Sequence, residues 1–355
     1  MNTRHSFAII SILVFITLFL VYLKNAASLP NTQNNGFSRK WLDKAIALDA
    51  TEEINTSFQR ISGISNSKFF LSTLKPDVIT TFSLDLKAQD TIFLNLPKIN
   101  GSYTPNILNV DSTDIRIYLP NLALSLYSSF TENKFDSSKF QSDIYTRFSQ
   151  LSDSQIIVRA LSENQTRQKF KKVNTRTGEV LKESKIIEDD DSFMGFDSDG
   201  TLNYDSKNKL LLYVQYYRNE VYCFDSNLNV VYKSKTIDTI KYNHTNYTKL
   251  NKAGSEKITT SESRLIVNRN CIVDSENGLF YVLSNLKADN ESPPLYNNNN
   301  TIDIYKTING KYVGSFHLPR EGKSRILSAV VTPPYLVALS KGNLSKYKID
   351  YTDLK

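Results

Sequence analysis

The sequence repeats one short feature six times, and this repeat constrains the fold more than any other property. Each copy is a polar turn followed by a short apolar or alternating run, as in NKLLLYVQ at 208 and NGLFYVLS at 277. The copies begin at residues 67, 113, 154, 208, 277 and 333. Apolar runs bounded by turn residues predict β-strands. The 19 Phe and 20 Tyr, against one Trp and two Met, also suit strands.

Most copies are followed by two alternating runs joined by a polar turn, which is the pattern of a β-hairpin. The clearest hairpins are VYCFDSNLNVVYKS at 221, FKKVNTRTGEVLKES at 170 and IDIYKTINGKYVGSF at 302. Successive copies are 41 to 69 residues apart, and the shorter steps match the roughly 40–45 residues of a four-stranded propeller blade. The repeat therefore predicts an all-β fold, a six-bladed β-propeller. Residues 210–238 are expected to supply the inner, middle and outer strands of one blade.

A resemblance to known proteins agrees with this prediction. The segment DSDGTLNYDSKNKLLLYVQYYRNEVYCFDSNLNVVYKSKTID at 197–238 resembles uncharacterised exported propeller-like proteins of bacteria. The six units resemble those of six-bladed propellers of the TolB-like or NHL-like kind, over roughly residues 60 to 355. The resemblance implies a fold and no particular activity, because propellers carry many unrelated functions. The units lack the signature dipeptides of other propellers, and no catalytic residue is carried over.

The two ends of the chain are expected to close the ring together. The final copy offers three strands, SAVVTP at 328, YLVALS at 335 and LSKYKID at 344, with no room for a full fourth before Lys355. An uncovered edge strand would expose unpaired N–H and C=O groups. The segment SFQRISGIS at 57–65 precedes the strand at Phe69, and we expect it to be the outer strand of the last blade.

The amino-terminal region predicts a membrane anchor. Residues 7–23 contain no charged side chain, and their length is close to what a helix needs to cross a bilayer. Arg4 precedes this run, which indicates that residues 1–25 are a cytoplasmic tail and transmembrane helix, with the rest of the chain periplasmic or extracellular. A cleaved secretory signal is the alternative, although Asn25 fits the cleavage pattern poorly.

Between the anchor and the propeller, residues 26–56 are expected to form a partly helical juxtamembrane linker. The residues at helical spacing are Trp41, Leu42, Ala45, Ile46 and Leu48. The alternative is a solvated tether with Trp41 resting at the lipid interface. The propeller domain then occupies residues 57–355.

Charge and side-chain chemistry exclude some functions. The net charge of +7 is scattered and not clustered with aromatic residues, so no nucleic acid partner is expected. The three histidines, at 5, 244 and 317, form no convincing catalytic set or metal site, and neither a metal nor a cofactor is predicted. A disulfide between Cys223 and Cys271 is chemically allowed in an exported chain. Each cysteine also lies in an apolar run, where a free Cys behaves as a small buried hydrophobe.

The group YYRNE at 216–220 is the strongest candidate for recognition. In the predicted blade it connects the second and third strands, and in propellers this connection opens where ligands meet the central channel. Arg218 can offer a forked donor to a carboxylate or phosphate, with Tyr217 stacking beside it. The alternative is a hairpin tip whose Arg is merely exposed. Two further arginines lie near the beginnings of other blades. The predicted ligand-binding residues are Tyr217, Arg218, Asn219, Arg147 and Arg269.

These features predict a membrane-anchored extracytoplasmic module whose propeller face binds a protein, a peptide or a small ligand. One alternative is an exported hydrolase or lyase on the same scaffold, with carboxylates and arginines at the channel. Another is a structural subunit of an envelope complex. An enzyme requires ionisable groups with perturbed pKa values in a concave channel, whereas a scaffold exposes a broad apolar patch.

Overall fold

The computed structural model shows a six-bladed β-propeller, which confirms the prediction. It describes residues 3–26, 34–65, 67–103, 106–111, 113–141, 144–161, 167–187, 195–241, 247–252, 255–260, 265–320 and 324–354. In the first range only the side chains of residues 12–23 are described, and in 247–260 only the backbone. His244 and the side chain of His5 therefore lie outside the described residues.

The chain begins with helix α1 (Thr3–Ala26), and a 3-10 turn (Asp43–Ala45) leads into strand β1 (Ile46–Glu53). Blade one consists of β2 (Arg60–Ser65), β3 (Lys68–Ser72), β4 (Val78–Ser83) and β5 (Ala88–Phe93). Blade two consists of β6 (Ile107–Val110), β7 (Asp114–Leu119), β8 (Leu124–Ser129) and β9 (Asp136–Lys139). Blade three consists of β10 (Tyr145–Ser152), β11 (Gln155–Leu161), β12 (Gln168–Asn174) and β13 (Val180–Ser184). A second 3-10 turn, Pro120–Leu122, lies in blade two.

Blade four consists of β14 (Gly200–Asp205), β15 (Leu210–Gln215), β16 (Glu220–Asp225) and β17 (Val230–Lys235), and a separate hairpin of β18 (Tyr247–Lys252) and β19 (Ser255–Thr260) follows it. Blade five contains β20 (Asn268–Asp274), β21 (Leu279–Ser284), the short helix α2 (Pro293–Asn298), β22 (Asn299–Lys306) and β23 (Tyr312–Pro319). Blade six contains β24 (Ile326–Thr332), β25 (Tyr335–Ser340) and β26 (Asn343–Ile349), completed by β1.

Helix α1 is apolar and its described side chains, residues 12–23, are all exposed. No helix in the described part of the chain is long and apolar enough to cross a membrane. The structure therefore does not show the transmembrane helix expected at residues 7–23.

The apolar repeats of the sequence are the second strands of the blades. β15 and β21 are buried at every residue, whereas β14, which precedes β15 in the same blade, has as many half-buried as buried positions. The expectation that 210–238 begins with an inner strand is therefore wrong by one strand, because these residues form the second, third and fourth strands. The first strand lines the central channel and requires fewer apolar residues.

The core is divided among the six interfaces between neighbouring blades. In the described residues, each of six large apolar clusters combines side chains from two adjacent blades. Leu211 and Tyr213 of β15 pack against Ile157 and Phe170 of blade three, while Leu212 packs on the other face against blade five. A second strand is thus covered on both sides, which explains its continuous apolar run.

Strand β1 closes the ring by pairing with β26, antiparallel, from Ile46 opposite Ile349 to Glu53 opposite Asn343. The prediction that the two chain ends close the ring is confirmed, but the strand assigned to this role is wrong. Residues 60–65 form β2, the innermost strand of blade one. The assignment is wrong by one strand for the same reason as in residues 210–238, because the apolar run at Phe69 is the second strand of its blade and not the first.

Residues 34–45, here called the N-terminal strap, lie along blade five. Leu42 N–H donates to Ser315 O at 2.7 Å, and Trp41 stacks on the ring of His317 with 4.0 Å between ring centroids. Ala45 is buried in the cluster between blades five and six. The partly helical linker expected here is corrected to an extended strap, one 3-10 turn and strand β1. The apolar side chains at helical spacing do not form a helix: Trp41 and Leu42 contact β23, Ala45 and Ile46 pack in the cluster between blades five and six, and Leu48 is exposed in β1.

Both cysteines are free thiols in the structure, and both are buried in the cluster between blades four and five. Burial raises the pKa of the Cys223 thiol to about 12, and burial also raises the pKa of Cys271. The disulfide alternative is therefore not what the structure shows. The two residues act as small apolar groups in the core.

Candidate ligand-binding face

The first strands of the six blades surround a central channel of about 740 Å³. Its wall carries amide side chains, Asn109, Asn203 and Asn270, beside the guanidinium groups of Arg60 and Arg147. A cavity of this size lies within the range of roughly 300–1,000 Å³ typical of small-ligand sites. The channel is therefore a concave candidate site on the described part of the molecule.

One end of the channel is called the mouth here. It is the end at which the first strand of each blade begins and, because the strands of a blade alternate in direction, the end at which the second and third strands are connected. The 216–219 connection touches the start of β20, where the side-chain amide of Asn268 donates to Gln215 O at 3.0 Å and to Arg218 O at 3.2 Å. The YYRNE group therefore lies at the mouth.

Arg147 lines the channel near the mouth, but a carboxylate already compensates its charge. Its guanidinium donates to Asp199 Oδ2 and to Gly200 O, both at 2.6 Å, and lies 5.2 Å from the centre of the Tyr216 ring. Burial disfavours the charge, but Asp199 and Tyr216 outweigh burial and raise the pKa of Arg147. Arg147 thus connects two blades at the wall of the channel.

Asn219 holds the loop in place. It is buried, its backbone N–H donates to Ile240 O at 2.8 Å, and its side-chain amide donates to Asp238 O at 2.8 Å. These bonds tie the 216–219 connection to the segment that follows β17. The geometry gives Asn219 a structural role, and a contact with ligand stays a prediction.

Arg218 and Tyr217 are less accessible than a hairpin tip would be. Arg218 is 8% exposed, so the alternative of a merely exposed arginine is wrong. Tyr217 is half-buried and meets Tyr216 edge-on, with 6.1 Å between the ring centroids. Recognition of a ligand by this pair stays a prediction.

Arg60 is the least compensated charge in the channel wall. It begins β2 and is exposed to the channel, and within the described residues no hydrogen bond or ion pair is recorded for its guanidinium. The surrounding walls still desolvate the charge, which lowers the pKa of Arg60 despite the opposing effect of Tyr216. An anion in the channel would relieve this cost.

Arg269, Arg320 and Arg325 form a second group at the mouth, here called the arginine cluster. Arg269 lies at a β-bulge of β20, while Arg320 and Arg325 flank the connection from β23 to β24. Burial lowers the pKa of Arg269, and the charges of the other two arginines lower it further. Of the predicted ligand-binding residues, only Arg269 belongs to this cluster.

The strap places a different charged group on the outer side of blade five. Arg39, fully buried, donates to Asp303 Oδ1 at 2.7 Å and to Glu291 Oε2 at 3.4 Å. His317 bridges Glu291, with 2.9 Å between Nε2 and Oε1, and Asp43 of the strap, with 3.1 Å between Nδ1 and Oδ1. Although burial lowers it, the pKa of His317 is raised overall by these two carboxylates.

Three carboxylates of blades two and three, Asp111, Asp114 and Asp153, approach one another within 4.8 Å. The guanidinium of Arg116 bonds to all three, at 2.8, 3.0 and 3.3 Å. A cation of the protein itself therefore balances the group.

Sequence reasoning missed Arg60, Arg320 and Arg325. Arg60 was assigned to an outer strand, so its position at the channel could not be recognised. Arg320 and Arg325 lie either side of a loop without apolar pattern, PREGKSRI at 319–326, and only their positions flanking a strand boundary could have singled them out. Arg147 was expected at the channel, and the structure places it in the channel wall.

The comparisons with known proteins show the fold alone. No protein-family model matches the sequence, and no curated protein matches it. A solved member of the DUF4221 family from Bacteroides vulgatus is similar over 86% of this chain and 97% of that chain, with 15% identity and a TM-score of 0.54. Virginiamycin B lyase from Staphylococcus aureus aligns over 85% of this chain and 99% of its own, at 9% identity and a TM-score of 0.47. BamB from Moraxella catarrhalis aligns over 86% and 98%, at 9% identity and a TM-score of 0.43.

Proposed function

We propose that this protein is a membrane-anchored extracytoplasmic propeller that binds a protein, a peptide or a small ligand at the mouth of its central channel. The observation that carries the binding role is the channel of about 740 Å³, whose wall holds Arg60 without a recorded ion pair in the described residues. The guanidinium of Arg60 is exposed to the channel, so a ligand with a complementary anionic group can pair with it.

The anchor is supported by the sequence of residues 7–23 and by the exposure of the apolar side chains at 12–23. Exposed apolar side chains along a helix are unfavourable in water and favourable in lipid. A carboxyl-terminal fusion to alkaline phosphatase tests the orientation, since this enzyme folds only outside the cytoplasm. We expect an active fusion, whereas a fluorescent cytoplasmic GFP fusion with inactive phosphatase would contradict the proposal.

A binding role fits the chemistry of the channel better than the hydrolase or lyase alternative. The described lining residues offer guanidinium and phenol groups, from Arg60, Arg147, Tyr204 and Tyr216, and no carboxylate or imidazole among them. Asp199 is close to the wall, but Arg147 holds its carboxylate. The hydrolase or lyase alternative relies on carboxylates at the channel, and the described lining residues include none.

A photo-cross-linking pair tests binding at the mouth. Leu327 lines the channel and is 40% exposed, while Leu181 is 42% exposed on the outer strand β13. We replace each with p-benzoylphenylalanine in the full-length protein and irradiate intact cells. Adducts at position 327 that exceed those at 181 are expected. Equal adducts at both positions, or none at 327, would remove the support for a ligand-binding channel.

A further inference from the structure

We propose that the arginine cluster, Arg269, Arg320 and Arg325, is a binding site for the phosphoryl group of a ligand whose remainder extends into the channel. The inference deepens the proposed binding role and rests on it. It assigns a chemical class to the ligand and names the residues that recognise it.

The fold brings the three arginines together from separate segments. In β20, Asn268 pairs with Ser284 and Asn270 pairs with Leu283, so the bulge leaves Arg269 without a partner in the ladder. Bulges of this kind commonly redirect a side chain near a functional site. Arg320 directly follows β23, and Arg325 directly precedes β24.

In the described part of the chain no carboxylate forms an ion pair with the cluster; Glu291, which raises the pKa of Arg320, is itself held by Arg39 and His317. The guanidinium of Arg320 lies 5.8 Å from the ring centre of Tyr296, and its buried Nε has no hydrogen-bond partner. Arg325 donates to the side-chain oxygen of Asn285, a neutral acceptor. No ion pair within 4.0 Å is recorded for any of the three arginines in the described part of the chain. Burial and mutual repulsion lower the pKa of Arg269 and of Arg320.

The number of donors favours a phosphoryl group over a carboxylate. Each guanidinium presents five N–H donors in a planar fork that fits two oxygens of an anion. Three such forks exceed what the two oxygens of one carboxylate can accept, whereas a phosphate monoester offers three oxygens and up to two negative charges. The position also suits an organic phosphate, because Asn270 and Leu327, close in sequence to Arg269 and Arg325, line the channel.

Thermal unfolding of the full-length protein in detergent micelles tests the site, with inorganic phosphate as the probe and sodium chloride at equal ionic strength as the reference. We expect phosphate to raise the unfolding temperature more than chloride does, because the anion binds the folded state alone. Arg269→Gln should weaken phosphate binding about tenfold or more, because a charge-assisted pair of hydrogen bonds is lost.

A matched control separates the site from general surface charge. Arg176 is an exposed arginine in the turn between β12 and β13, at the end of the propeller opposite the mouth, and Arg176→Gln should keep the full response to phosphate. Without phosphate, Arg269→Gln should unfold no earlier than the wild type, because the substitution removes repulsion. An equal response to chloride, or an unchanged response in Arg269→Gln, would overturn the proposal.

Reconstitution into nanodiscs distinguishes a lipid headgroup from a free phosphorylated ligand. If the phosphate of an anionic lipid occupies the cluster, phosphatidylglycerol discs should stabilise the wild type over discs of phosphatidylcholine, whose choline neutralises the phosphate, and should abolish its response to added phosphate. If the ligand is free, the response should be the same in both discs. The phosphate titration needs no cross-linked partner, so it can fail while the adduct at position 327 persists, and the two proposals remain separable.

Discussion

Arg39, near the amino terminus, and Arg320, near the carboxyl terminus, both lie at blade five, but their surroundings differ. Arg39 is buried against Asp303 and Glu291, and this group continues through His317 to Asp43. Arg320 forms no ion pair in the described part of the chain; Arg325 lowers its pKa, the ring of Tyr296 lies beside it, and Glu291, which is bound to Arg39, offsets this only in part. The comparison teaches that burial of an arginine does not by itself indicate a function. A compensated guanidinium holds segments together, whereas an uncompensated one is available to a ligand.

The largest effect is expected from removing the strap and β1 together. The strap carries Arg39 and Asp43 of the charge-compensated group, and β1 closes the ring. Deleting residues 1–53 leaves β26 as an open edge, and we expect aggregation or loss of cooperative unfolding. Deleting residues 1–33 keeps both elements and should give a folded monomer. Light scattering after size exclusion, with thermal unfolding, measures both outcomes. Two monomers with the same unfolding temperature would contradict the closure by β1.

The next effect is the substitution Arg39→Met. It should lower the free energy of unfolding by about 3–5 kcal/mol, because removing one partner leaves the buried carboxylates of Asp303 and Glu291 uncompensated. Urea unfolding measures the change. The same substitution at the exposed Arg176 is the control and should change stability by no more than about 0.5 kcal/mol. A loss at Arg39 as small as that of the control would show that the compensated group does not stabilise the strap.

The pH dependence of stability sharpens the comparison further. The pKa of His317 is raised in the folded protein, so its contribution is complete below the unfolded value of about 6.5 and is lost as pH rises through the folded pKa. We expect the urea midpoint to fall as pH rises above 6.5. His317→Gln should flatten this part of the profile. Asp238, whose pKa burial raises to about 6, acts mainly below this window. If the wild type and His317→Gln show the same dependence of the urea midpoint on pH, His317 does not contribute to the stability of the charge-compensated group.

The smallest effect is expected at Arg320. Arg320→Gln removes repulsion from Arg325 but also the contact with Tyr296, so the free energy of unfolding should change by less than about 1 kcal/mol. At low salt the variant should be slightly more stable than the wild type. In 1 M sodium chloride this difference should disappear, because the repulsion is screened. A large loss of stability at both salt concentrations would mean that Arg320 is structural, like Arg39.

The sequence was sufficient to predict the class of fold because the second strands are buried on both faces. Their continuous apolar runs, such as LLLYVQ at 210, need no tertiary information to be recognised. The first strands could not be found in this way, since channel-facing residues such as Asn203 and Asn270 interrupt the apolar pattern. β1 could not be recognised for a similar reason, because most of its residues are exposed and it has no continuous apolar run. Trp41 and Leu42, which precede it, lie at a spacing that predicts a helix.

The candidate site was predicted only where local pattern and position coincide. Arg147 and Arg269 could be proposed because each lies close to the start of a repeat. Whether an arginine is compensated depends on partners far away in sequence, as with Arg39 and Asp303, which are 264 residues apart. No local pattern carries that information.

The pairing of β1 with β26 also sets an order of events during synthesis. Ile46 lies opposite Ile349, so its partner is made roughly 300 residues later. At a ribosomal rate of about 5–20 residues per second, this interval is roughly 15–60 s. Blades one to five can assemble as they emerge, whereas β1 has no partner until the chain is nearly complete. The first strand of the propeller to be translated is therefore the last to be paired.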